Sequence, residues 1–115
     1  MRYELIVPAL LAFGLAGPAH TQPNPFARAP SALFHGNYCG PGNRGNNPPP
    51  VDALDRACMH HDACSPPVGE GLAPCSCNER LHNEASAVAR SPRTPDDVRI
   101  TADFVAEGAK ALACR

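Results

Sequence analysis

Residues 54–64 read Leu54-Asp55-Arg56-Ala57-Cys58-Met59-His60-His61-Asp62-Ala63-Cys64. These positions hold two cysteines, two histidines and two aspartates, with no glycine or proline to break a helix. On a helix His61 shares a face with Leu54 and Cys58, and Asp62 lies one step round, above Asp55 and Cys58. A histidine and a carboxylate placed side by side can act as proton acceptor and cation ligand. An isolated pair of this kind is more often structural, so the flanking sequence decides.

Upstream, Asp52 is a natural N-cap and predicts a helix over about Ala53 to Cys64. Before it runs His35-Gly36-Asn37-Tyr38-Cys39-Gly40-Pro41-Gly42-Asn43-Arg44-Gly45, ending in Pro48-Pro49-Pro50. Glycines so dense make a loop whose backbone can turn carbonyls or amides towards a ligand. The Gly-Lys-Ser/Thr signature of a phosphate-binding loop is missing. Downstream, Ser65 to Pro74 form a second loop. A second helix is expected over about Cys75 to Ala89, with Cys77, Leu81, Ala85 and Val88 on one face. Thr94-Pro95-Asp96-Asp97 predicts a third helix start, with Thr94 as cap and Pro95 at the first helical position. Its expected buried face is Val98, Thr101, Ala102, Val105, Ala109 and Leu112. No strand pattern emerges, so the expected fold is a small all-α domain of about three helices.

The chain opens Met1-Arg2, followed by an apolar run from Leu5 to Gly17 and then Pro18-Ala19. That pattern reads as a secretory signal peptide over residues 1–19, too short in its apolar part for a membrane span. Residues 20–35 read as a proline-rich arm, in which Ser31–Phe34 can close one helical turn. Phe26, Leu33 and Phe34 are expected to cap the small core. Residues 36–115 form the expected folded domain. All six cysteines (39, 58, 64, 75, 77 and 114) lie after the leader, an even count suited to an oxidising compartment. A core this small, with few aromatics and no Trp, calls for covalent staples. The formal charge of −1 implies neither a nucleic-acid partner nor strong attraction to anionic membrane.

Taken together, the Tyr38-Cys39-Gly40-Pro41-Gly42 loop, the 54–64 stretch and Cys75-Ser76-Cys77-Asn78 resemble secreted phospholipase A2, particularly its short prokaryotic members. The likeness spans about residues 36 to 84. It implies a calcium ion held by the carbonyls of Tyr38, Gly40 and Gly42 with the Asp62 carboxylate, and His61 as general base. It also implies disulfides Cys39–Cys58 and Cys64–Cys77, which leaves Cys75 with Cys114. Antiparallel second and third helices would bring that last pair together. The residue chemistry agrees, because calcium accepts six to eight oxygens, backbone carbonyls among them. A zinc site built from Cys58, His60, His61, Cys64, Cys75 and Cys77 conflicts with an oxidising compartment, because oxidised cysteines cannot ligate.

Two features depart from the family pattern. Ala57 and Glu84 stand where an extra disulfide usually joins the first two helices. Asn78 replaces an Asp that orients the histidine, and Ser65 replaces a Tyr that would bond that Asp. Asn78 can still accept a hydrogen bond from the distal ring nitrogen of His61, but brings no charge. The expectation is a secreted, monomeric, calcium-dependent hydrolase acting on phospholipid surfaces, with His61 and Asn78 in the catalytic unit. The rivals are an inactive lipid-binding module and a disulfide scaffold for a protein partner. His60 reads as a solvated helix residue, and His35 and His82 have no evident partner.

Overall fold

The computed structural model describes residues 32–42, 45–67 and 69–115, together with Gly14 and Gly17. All of the expected leader but those two glycines, and most of the proline-rich arm, Phe26 included, lie outside the described residues. Three helices follow in order, α1 (Ala53–Cys64), α2 (Cys75–Arg90) and α3 (Asp96–Ala111). No strand forms among the described residues, and an isolated bridge links His35 to Cys39. The architecture is thus the expected small all-α domain, with all three expected disulfides, Cys39–Cys58, Cys64–Cys77 and Cys75–Cys114.

The start of α1 follows its sequence signal. Asp52 stands in extended backbone and accepts a hydrogen bond from Asp55 N at 2.8 Å. Its carboxylate is shared with His35, whose Nε2 lies 2.8 Å from Oδ2. Burial works against the charged carboxyl, but the Asp55 backbone N–H and His35 outweigh it and hold Asp52 below its usual range. The start of α3 departs from expectation. Pro95 occupies the cap position with no side-chain hydrogen bond, because the Thr94 hydroxyl instead donates to Val88 O at 2.7 Å and ties the turn back onto α2.

The core gathers Leu54, Ala57 and Cys58 of α1, Leu81, Ala85 and Ala89 of α2, and Ala102, Val105, Ala106 and Ala109 of α3. Alanines on both sides let α2 and α3 approach closely, but each contributes little burial energy compared with the 1.5–3 kcal/mol or so of a large apolar side chain. Three bridges worth roughly 2–4 kcal/mol each therefore carry a large share of the stability. Leu112, expected in the core, is instead 46% exposed, because α3 ends one residue earlier. Ala106 fills the inner face in addition to the expected positions.

α1 and α2 run antiparallel, with Cys64 joined to Cys77 at one end and His60 paired with Glu84 further along. His60 Nδ1 lies 2.8 Å from Glu84 Oε2, and Arg80 binds the other carboxylate oxygen. His60 is therefore a clamp residue rather than a freely solvated one. Partial burial opposes the Glu84 charge, yet His60 and Arg80 outweigh it and keep its carboxyl low. An ion pair thus sits at Glu84, one of the two positions where the family's extra bridge is missing. His82 Nδ1 donates to Ala106 O at 2.7 Å, a similar tie between α2 and α3.

Candidate active site

The loop before α1 is held from two sides. On one, Ala32 N donates to Pro41 O at 2.9 Å and Phe34 N to Cys39 O at 3.0 Å. Ala32–Phe34 is therefore an extended flank to the loop, not a helical turn. Those bonds occupy alternate carbonyls. The carbonyls of Tyr38, Gly40 and Gly42 have no hydrogen-bond partner among the described residues. Gly40 is required here, since its φ of +125° suits glycine and a Cβ would meet Ala32 O at 2.5 Å.

On the other side stands Asp55, fully buried in the first turn of α1. Its Oδ1 accepts from Tyr38 N at 2.9 Å and Asn37 N at 3.0 Å, and its Oδ2 from Val51 N at 2.9 Å. Gly36, at φ +56°, lies so close that a Cβ there would collide with the carboxylate. Asp55 is the organiser that sequence reasoning missed. Within 54–64 it reads as one more helical aspartate, and two of its three partners lie 17 and 18 residues upstream.

The two central residues sit half-buried on the last turns of α1. His61 Nε2 lies 2.7 Å from Asn78 Oδ1, the distal-nitrogen contact expected from sequence. Asn78, buried in α2, also donates from Nδ2 to Leu112 O at 3.2 Å. Ser65 Oγ donates to His61 O at 2.7 Å, so it supports the helix end and not Asn78. Asp62 differs in kind. Its Oδ2 is buried without a hydrogen-bond partner among the described residues.

Burial, reinforced by the Asp55 carboxylate, pushes Asp62 up to about 7 from an ordinary 3.8. A buried carboxylate with no donor calls for positive charge. The uncharged carbonyls of the loop together with Asp62 fit a hard, oxygen-seeking cation such as calcium. A thiolate site is excluded, as every cysteine is in a disulfide. The raised Asp62 makes a prediction for the metal-free protein. Its folded state keeps a proton that the unfolded chain loses near pH 3.8, so stability falls as pH rises from there to about 7 and then levels off. Denaturant midpoints across that range should show the slope, and Asp62→Asn should flatten it. An unchanged slope in the variant would refute the assignment.

His61, Asp62, Tyr38, Gly40 and Gly42 all line one cavity of about 680 Å³. Its remaining wall is mostly apolar, with Leu81, Val105 and Leu112 among its members. At its edge Phe34 and Phe104 meet edge to face, with ring centres 5.6 Å apart, and both are more than half exposed. Phe34 thus belongs to the cavity and not to the core. The structure brings together His61, Asn78, Asp62 and the three loop residues. The disulfide Cys39–Cys58 fastens the loop to α1 one turn before Asp62. No helix among the described residues is long and apolar enough to cross a membrane.

No family model matches the chain, and no solved structure does. Curated proteins do. Acidic phospholipase A2 KBf-grIB of Bungarus fasciatus is 53% identical over 38 residues, 33% of this chain and 25% of that protein. Phospholipase A2 A2-actitoxin-Cgg2a of Condylactis gigantea is 46% identical over 43 residues, 36% of this chain and 34% of that one. Phospholipase A2-alpha of Arabidopsis thaliana is 34% identical over 64 residues, half of this chain and 40% of its own. The chain thus spans between a quarter and two-fifths of the length of these relatives. In its sequence the chain is similar to the phospholipase A2 family.

Proposed function

We propose that this chain is a secreted, calcium-dependent hydrolase that cleaves the sn-2 ester of glycerophospholipids at a membrane or micelle surface. One observation carries the reading. A histidine held through Nε2 by a buried amide stands in an apolar cavity beside a carboxylate whose buried oxygen has no donor among the described residues. The relatives named phospholipase A2 support the reaction class.

Bound calcium would be held by the carbonyls of Tyr38, Gly40 and Gly42 with Asp62, and would supply positive charge for the substrate phosphate and the developing oxyanion. His61 does the proton work. With Nε2 engaged by Asn78, Nδ1 is the ring nitrogen left to take a proton from water, which attacks the ester carbonyl carbon. The ring then carries that proton as imidazolium while Asn78 Oδ1 continues to accept from Nε2–H. Transfer from Nδ1 to the departing glycerol oxygen completes the cleavage into a fatty acid and a lysophospholipid. The apolar wall takes the acyl chain and excludes bulk water.

Fatty-acid release from mixed phospholipid vesicles tests the proposal. Release is expected with millimolar calcium and should vanish in excess chelator. Three of the four protein ligands are neutral, so affinity should be modest. Undiminished release in chelator would rule out the mechanism, and no release under any condition would favour the lipid-binding alternative.

A further inference from the structure

Asn78 makes two hydrogen bonds, and the second decides what the first can be. Its Nδ2 faces the Leu112 carbonyl at 3.2 Å, and a carbonyl can only accept. The amide group must therefore point that way, which leaves Oδ1 towards His61 Nε2 at 2.7 Å. Oδ1 is itself only an acceptor, so the imidazole must carry its proton on Nε2. Turning the Asn78 amide over would oppose oxygen to oxygen at Leu112 and would present N–H to the ring.

Leu112 lies just past α3, where its carbonyl has no later helical turn to donate to it. The segment is fixed beyond that point. Arg115 N donates to Ala73 O at 3.0 Å and Cys75 N to Arg115 O at 3.1 Å. The Cys75–Cys114 disulfide closes the same junction. Cys75 is also the first residue of α2, three positions before Asn78. The tail and the amide it orients are thus anchored on one turn.

We propose that the tail around Leu112 is a positioning element, which through the Asn78 amide holds the His61 ring in its Nε2–H form with Nδ1 bare. The inference deepens the hydrolase reading and rests on it for its consequence, though not for its geometry. It explains why asparagine serves here. A carboxylate at position 78 would set an anionic oxygen against the Leu112 carbonyl with no donor to separate them, and the Ser65 hydroxyl is already committed to His61 O.

Nitrogen and proton NMR of the metal-free protein at about pH 9 reads this directly. The wild type is expected to show a protected Hε2 proton on His61. Asn78→Ala and the paired change Cys75→Ser with Cys114→Ser should each lose that protection, the latter with α1 amides still slow to exchange. In vesicle assays both variants should lower kcat about tenfold or more with KM little changed. Protection lost in both variants supports the proposal whether or not the wild type hydrolyses lipid, so failure of the hydrolase reading is seen separately. Hε2 equally protected after either change, or the proton found on Nδ1 in the wild type, would overturn it. Should the double serine variant unfold, Asn78→Ala decides together with the Asn78 Nδ2 protons, whose free exchange in the wild type would overturn the proposal.

Discussion

Replacing His61 with Gln is expected to lower fatty-acid release by 10² to 10⁴-fold, the range for losing a general base, or about 3–5 kcal/mol of transition-state stabilisation. Glutamine keeps a polar group near Asn78 but has no nitrogen that can take a proton from water. The loss should fall on kcat, since the apolar wall proposed for the acyl chain is untouched. Asp62→Asn should be at least as damaging by a different route, because it removes the carboxylate whose buried Oδ2 has no donor among the described residues. Calorimetric titration with calcium separates the two. His61→Gln should still bind the ion, whereas Asp62→Asn should not. A His61→Gln protein within tenfold of wild-type activity would remove the histidine from the mechanism.

Asp55→Ala should give the largest loss of stability of any single change to a non-cysteine side chain described above. Three backbone N–H groups converge on the carboxylate, from Asn37, Tyr38 and Val51. Each N–H left unsatisfied costs about 1–3 kcal/mol, with water entry through the loop recovering part of it. A net loss of about 3–5 kcal/mol is expected, against a total of about 5–15 kcal/mol for an ordinary domain. Removing the carboxylate also relieves its repulsion of Asp62, a smaller effect of opposite sign. Asp55→Asn should lie between, since one amide oxygen can still accept while the NH₂ group confronts a backbone donor. Urea unfolding with disulfides intact reads both variants. A loss under 1 kcal/mol for Asp55→Ala would show that the loop does not depend on this anchor.

What the sequence disclosed was mostly local. Asp52 caps the helix it precedes, and the bounds of α1 follow from the absence of breakers between Ala53 and Cys64. The cysteine frame was legible through resemblance, as was the approach of Asn78 to His61. The residues misread are those whose partners are distant or whose local signal met a competitor. Thr94 has the pattern of a cap, but its hydroxyl reaches the Val88 carbonyl at the preceding helix end. His60 finds Glu84 on the next helix, and His35 finds the cap aspartate itself. Leu112 fits the apolar period of α3, yet the helix stops before it, so the residue lines the cavity and its carbonyl meets Asn78. No periodicity in a sequence encodes such a backbone contact.

The pairing of Ala32 and Phe34 with the loop would give any trimming of the N-terminal segment chemical weight. Those two N–H groups occupy the carbonyls of Pro41 and Cys39, and so sort the loop oxygens into paired and unpaired ones. A protease that stopped ahead of Ala32 would release a chain with its cation loop braced. One that trimmed past Phe34 would free both carbonyls to swing and strip one aromatic from the cavity mouth. Any trimming at this end would then set the tightness of the proposed cation site, as surely as a substitution within it.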